Sequence, residues 1–204
     1  MQGIQLNQRV LDSRLRGSDG FSEFLRDPRP FMKAKISLIG LGNILMGDEG
    51  VGVHAVEALK RKYEFPEGVQ LLDGGTLGLD LLHLIEGMDR VLFVDAVDLK
   101  RNPGTIAVIE DEDLPSFLGP KLSLHHVGLS DLLFASSFMG TRPAEIALVG
   151  IQPETMEIGL ELSKTVMDRF EKLLQVVVEK LREWGLEIKE KTAREPIYVP
   201  GHSI

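Results

Sequence analysis

Short apolar runs alternate with stretches of helical period along most of this chain, and that alternation constrains the fold more than any other feature. Ile36-Ser37-Leu38-Ile39, Val69 to Leu72, Val91 to Val94, Thr105 to Ile109 and Ile146 to Val149 are short and apolar enough to be buried strands. Between them, Val51, Val53, Ala55, Val56, Ala58 and Leu59 recur with a helical period that ends near Tyr63. Leu77 to Ile85 reads as an amphipathic helix, Asp111 to Phe117 as a short one, Ser130 to Phe138 as another, and Leu162 to Trp184 as a long helix with one apolar face. Parallel strands need crossovers that carry the chain back to its starting edge, and helices supply them. The expected fold is therefore α/β and three-layer: a twisted, mainly parallel sheet flanked by helices on both faces.

The two ends of the chain break this pattern. Met1 to Phe31 carries scattered charges, Gly and Pro without an apolar period, and the character changes abruptly at Met32. Residues 1–31 read as a disordered or incidental extension with Met32 as a candidate true start, 32–186 as the folded domain, and 187–204, interrupted by Pro196 and Pro200, as a mobile tail. A chain of 204 residues with 43% hydrophobic content suits one well-buried core. Its net charge of -8 argues against a nucleic-acid partner, which calls for a basic surface that displaces counterions. No apolar run reaches the roughly 20 residues of a membrane-spanning helix, and the first residues lack the basic-then-apolar order of a secretory signal. A cytoplasmic protein without a membrane partner is expected. Cysteine is absent, so a metal would have to sit on His, Asp and Glu.

In an open parallel sheet, residues just past the C-terminal ends of the strands converge where ligands bind. Glu49 falls there, in the loop after the first strand. Asp95 ends the third, and His125 lies in the loop Ser123-Leu124-His125-His126, where His126 is its competitor. Two carboxylates and an imidazole make an oxygen-rich, borderline site that suits zinc, nickel or manganese and leaves positions open for substrate or water. Asp48 and Glu49 are each also placed to cap the helix that begins near Gly50. Asp48 is the candidate general base. Asp73-Gly74-Gly75-Thr76 reads as a tight turn at the same sheet edge, a structural turn or a substrate-contacting loop. His54 and His83 fall on helices, where a solvated face is expected, and no role is expected for His202.

The segment Ile39-Gly40-Leu41-Gly42-Asn43-Ile44-Leu45-Met46-Gly47-Asp48-Glu49-Gly50-Val51-Gly52 resembles the opening signature of the nickel-iron hydrogenase maturation endopeptidases. Leu72-Asp73-Gly74-Gly75-Thr76, Val94-Asp95-Ala96, Pro103-Gly104-Thr105, Ser123-Leu124-His125 and Leu148-Val149-Gly150-Ile151-Gln152-Pro153 follow in the family's order, so the resemblance spans about Lys33 to Trp184. It implies that Glu49, Asp95 and His125, rather than His126, contact a metal. It further implies a hydrogenase large-subunit precursor as partner, from which a C-terminal peptide is removed after nickel has been inserted. The nickel would then be carried by the substrate, with zinc or cadmium able to substitute. With no Cys and no Gly-x-Ser-x-Gly elbow, metal-assisted hydrolysis is the economical chemistry for such a peptidase.

Two other readings use the same residues. Gly40-x-Gly42 between strand and helix suggests a Rossmann-like nucleotide site with Asp73 as the ribose acid, but Leu45 stands where the third glycine belongs. A nickel-binding maturation chaperone without protease activity would need the same three ligands, yet no His-rich tract accompanies them.

Overall fold

A computed structural model describes residues 34–111, 113–114 and 129–192. The extension expected over residues 1–31 lies outside the described residues, as do most of the helix expected from Asp111 to Phe117 and the loop holding His125 and His126. Strand β1 (Ile36–Leu41) is buried at every position because it has a parallel neighbour on each side and helices above and below. Helix α1 (Val51–Lys62) carries the chain from β1 back past the short β2 (Tyr63–Glu64) to β3 (Val69–Gly75). The short helix α2 (Leu82–Ile85) connects β3 to β4 (Arg90–Ala96). After β5 (Ile106–Glu110), helix α3 (Leu129–Met139) precedes β6 (Glu145–Ile151), and the long helix α4 (Lys164–Glu183) precedes β7 (Lys189–Glu190).

The main sheet has five strands in the order β3-β1-β4-β6-β5. All its pairs are parallel except β5 with β6. This is the mainly parallel, three-layer α/β arrangement expected from the alternation. The pleat sends alternate residues to opposite faces. Ile39, Leu41, Val91, Phe93, Ile146 and Leu148 join Leu81, Ile85, Leu132 and Leu133 in a single cluster under α2 and α3. The intervening residues, including Leu38, Leu92 and Val149, are also fully buried and belong to the face where α1 and α4 pack. Phe93 is wholly buried, and truncating such a side chain to Ala costs about 3–5 kcal/mol.

Helix α4 forms because Val166, Phe170, Leu173, Leu174, Val177, Val178 and Leu181 recur on one buried face and because Ser163 caps it, its side chain accepting from the Val166 amide at 3.2 Å.

Three local expectations are corrected. The Asp73-Gly74-Gly75 stretch is not a turn after β3 but its last part, carried past Leu72 by pairing with β1. Gly40 opposes Asp73 and Leu41 opposes Gly75, so one extra residue bulges from β3. The helix expected over Leu77 to Ile85 is a 3-10 turn (Gly78–Leu81) followed by the four-residue α2, a tightening of the kind common at helix starts. The tail expected to be mobile from residue 187 begins inside the structure. Ile188 is buried, and Lys189–Glu190 pairs antiparallel with Tyr63–Glu64, because the returning chain meets an unpaired strand at the end of α1.

Candidate active site

The loop that carries Glu49 is shaped by backbone crossing backbone. A Cβ on Gly40 would lie 2.2 Å from the Gly52 carbonyl oxygen, and one on Gly52 would lie 2.1 Å from that of Val94, so α1 enters directly against β1 and β4. Gly42, at φ +114°, turns the chain out of β1 with its hydrogen facing the Glu49 carbonyl oxygen, which a Cβ would approach to 1.7 Å. Asn43 Oδ1 then accepts from the Leu45 amide at 3.0 Å, and a 3-10 turn (Gly47–Gly50) leads into α1.

That 3-10 turn lies against β4. It places Glu49, half-buried, on the same sheet edge as Asp95, the half-buried penultimate residue of β4. Asp95 stands opposite Gly150 of β6, so it is flanked by strand backbone and enters the edge with little freedom. His125, the expected third donor, lies outside the described residues. Among the described residues, no three of His, Asp and Glu are gathered closely enough to hold a metal.

Asp48 has a different setting from its neighbour. It is fully buried, and its carboxylate accepts three main-chain amides from the loop after β6: Glu154 at 2.9 Å and Thr155 at 3.1 Å on Oδ2, and Ser163 at 2.6 Å on Oδ1. The sequence placed it as a cap of the following helix, but neither the 3-10 turn nor α1 has a side-chain cap. The carboxylate instead points across to the loop after β6, where those three main-chain amides occupy both of its oxygens. The same two loops are joined by main-chain bonds from Gly47 to the Gly159 oxygen at 2.8 Å and from Gly159 to the Leu45 oxygen at 3.0 Å. The candidacy of Asp48 as a base meets a physical objection here, since water has no access to a carboxylate with no exposed surface and both oxygens occupied.

Asp73, at the end of β3, folds back on its own chain, Oδ1 accepting from Gly75 at 2.9 Å. It also faces His54 electrostatically. Burial pushes the His54 imidazole below its ordinary value, while the Asp73 charge pulls it upward. The solvated face expected for His54 is therefore incorrect: its Nε2 is buried and finds no hydrogen-bond partner among the described residues. Only its position three residues after the buried Val51, on the rim of the packed stripe of α1, could have signalled this. His83 is exposed, as its helix position suggested.

The glycine geometry bears on the nucleotide reading. In a dinucleotide fold the second glycine leaves room for a pyrophosphate, whereas the space beside Gly42 is filled by the Glu49 main chain.

A family model described as hydrogenase maturation protease matches residues 53–180, which takes in Asp95 and His125 and begins just after Glu49. The hydrogenase 2 maturation protease of Escherichia coli K12 is 42% identical over 154 residues, which cover 75% of this chain and 94% of that protein. Among solved structures, the E. coli hydrogenase maturating endopeptidase HybD is similar with a TM-score of 0.73 and 40% identity, over 77% of this chain and 98% of its own. A NiFe hydrogenase maturation protease from Thermococcus kodakarensis is similar with a TM-score of 0.60 and 28% identity, over 74% of this chain and 94% of its own. With this sheet order, this glycine-built loop and these relatives over three quarters of its length, the chain belongs to the hydrogenase maturation protease family.

Proposed function

We propose that this protein is an endopeptidase that removes the C-terminal peptide of a nickel-iron hydrogenase large-subunit precursor once nickel has been inserted, and that Glu49, Asp95 and His125 contact that nickel. The observation that carries the proposal is the seating of the 3-10 turn on β4, which brings Glu49 and Asp95 to one edge of the sheet. Two carboxylates so placed, with an imidazole from the loop before α3, form a donor set suited to a borderline divalent ion. The ion arrives with the substrate, and when bound it polarises the scissile carbonyl or its attacking water. The protein's own part is to orient the precursor's C-terminal segment against these donors. Asp48 acts as a strut that holds the Glu49 turn to the loop after β6, and the proton is accepted elsewhere, with Glu49 and Asp95 the half-buried carboxylates at hand.

The test uses purified protein with nickel-loaded and nickel-free precursor, followed by mass spectrometry of the large subunit. Cleavage of the loaded form alone is the expected result. Glu49→Ala, Asp95→Ala and His125→Ala should each stop processing, a loss of about 100-fold or more for a group acting at the reacting centre, while the thermal midpoints of the first two stay close to wild type. Failure of the folded wild-type protein to shorten its matched precursor rules the reading out. A maturation chaperone would instead leave the precursor intact and alter its nickel content.

A further inference from the structure

The two loops locked together by Asp48 carry an apolar surface that neither the fold nor the chemistry of Glu49 requires. Ile44 and Leu45 on the first loop, and Met156, Ile158 and Leu160 on the second, are all exposed, Ile158 to 89% and Leu160 to 66%. Large apolar side chains held together at the surface mark interaction sites more often than chance exposure does. These are not on a loose loop: Gly159, between the two most exposed of them, is bonded through its main chain to both Leu45 and Gly47, and Met46 and Gly159 form a parallel bridge. The shelf is prepared before any partner arrives, which lowers the ordering cost of binding.

Position and charge both indicate the occupant. The two loops follow β1 and β6 at the sheet edge where Glu49 and Asp95 lie, so the shelf is continuous with the candidate active site. Exposed Glu154, Glu157 and Glu161 alternate with the apolar residues and give the shelf an acidic rim. A second exposed apolar group, Phe134, Phe138 and Met139, runs down α3 toward the turn into β6, where the Ala144 amide bonds the Asp89 oxygen, at the opposite edge of the sheet. We propose that the Ile158–Leu160 shelf is the docking surface for the large-subunit precursor, receiving a segment that combines apolar side chains with flanking basic ones. This rests on the peptidase reading above and assigns its substrate a place to bind.

The experiment measures steady-state cleavage of nickel-loaded precursor and, separately, equilibrium binding of the full-length protein to the same precursor. The double variant Ile158→Ser with Leu160→Ser, at positions that contribute little to the core, should raise KM and Kd about tenfold or more, as loss of two apolar anchors does, and leave kcat within about twofold of wild type. Glu157→Lys with Glu161→Lys should raise both further at low salt than at high salt. Phe134→Ser with Phe138→Ser should change neither. Unchanged KM and Kd in the shelf variants would overturn the proposal, as would an effect confined to the α3 variants. If wild type binds but does not cleave, and shelf variants lose binding, the docking surface stands and the peptidase reading falls; if wild type does neither, both fall.

Discussion

The Asp48 Oδ1 oxygen lies 2.6 Å from the Ser163 amide nitrogen, across 115 residues of sequence. Since Ser163 is also the cap of α4, one carboxylate links the candidate catalytic turn to the cap of this 20-residue helix. Replacing it by Asn leaves a matching shape but turns an NH2 group toward amide donors. Asp48→Asn should therefore destabilise by about 2–4 kcal/mol, because a charge-assisted bond is lost and a buried donor is left facing another donor. Chemical denaturation with an unchanged m-value would measure it. A variant as stable as wild type would show that the amides are satisfied by other means.

Gly42→Ala tests the backbone crossing. The new methyl group would need the space of the Glu49 carbonyl and would sit at a φ that L-residues rarely adopt. The cost is about 2–6 kcal/mol when backbone strain of about 1–3 is added to overpacking of about 1–3. Relief comes only by moving the turn, so cleavage should fall with stability. Retention of both a wild-type thermal midpoint and wild-type cleavage would contradict the crossing.

His54 predicts an acid-side loss of stability. Its folded-state value lies below the ordinary 6.5, so the unfolded chain binds the extra proton more readily; its contribution is complete above 6.5 and is lost as pH falls toward the folded value. In His54→Leu that loss disappears. Thermal midpoints from pH 8 to 4.5 should show the variant gaining on wild type below pH 6.5; two parallel curves would mean that His54 titrates freely.

Lys180 predicts the opposite limb. Burial works against its charge, but ion pairs with Glu110 and with Glu183 at 3.2 Å outweigh burial and raise its value above 10.5. Its stabilisation is fully present below 10.5 and is lost as pH rises through the folded value. Both glutamates are well exposed, so the pairs contribute only about 1 kcal/mol after solvent screening. Lys180→Met keeps the stem and should be less stable than wild type by about that much at pH 8, with the difference closing in strong alkali. A difference that is constant with pH would assign it to packing instead.

The strands and long helices were legible because their signals are local: apolar runs such as Val91 to Val94 and the spaced stripe of α4 need no distant information. The direction of β5 was not, since Ile106–Glu110 would look the same parallel or antiparallel and only its pairing with β6 decides. The break between the 3-10 turn and α2 was equally hidden inside an apolar stretch. At the candidate site, Glu49 and Asp95 were expected from their places at the ends of strands, and the structure sets both at that sheet edge, whereas His125 lies outside the described residues. The partners of Asp48 lie more than 100 residues away, so its adjacency to Gly50 suggested a local cap and concealed a long-range bond.

The short ribbon of β2 and β7 has a bearing on how the molecule opens. At its start α4 is moored through Ser163 to Asp48, just ahead of α1; beyond its end, Lys189–Glu190 and the Lys191 amide are moored to the last residues of α1 and β2. The two helices on that face are thus buttoned to each other at both ends, with apolar packing between. Neither can swing out alone, so in hydrogen exchange their amides should open as one cooperative block, and the loop carrying Ile158, bonded through Glu154, Thr155, Gly159 and Ser163 to the turn ahead of α1, should open with them.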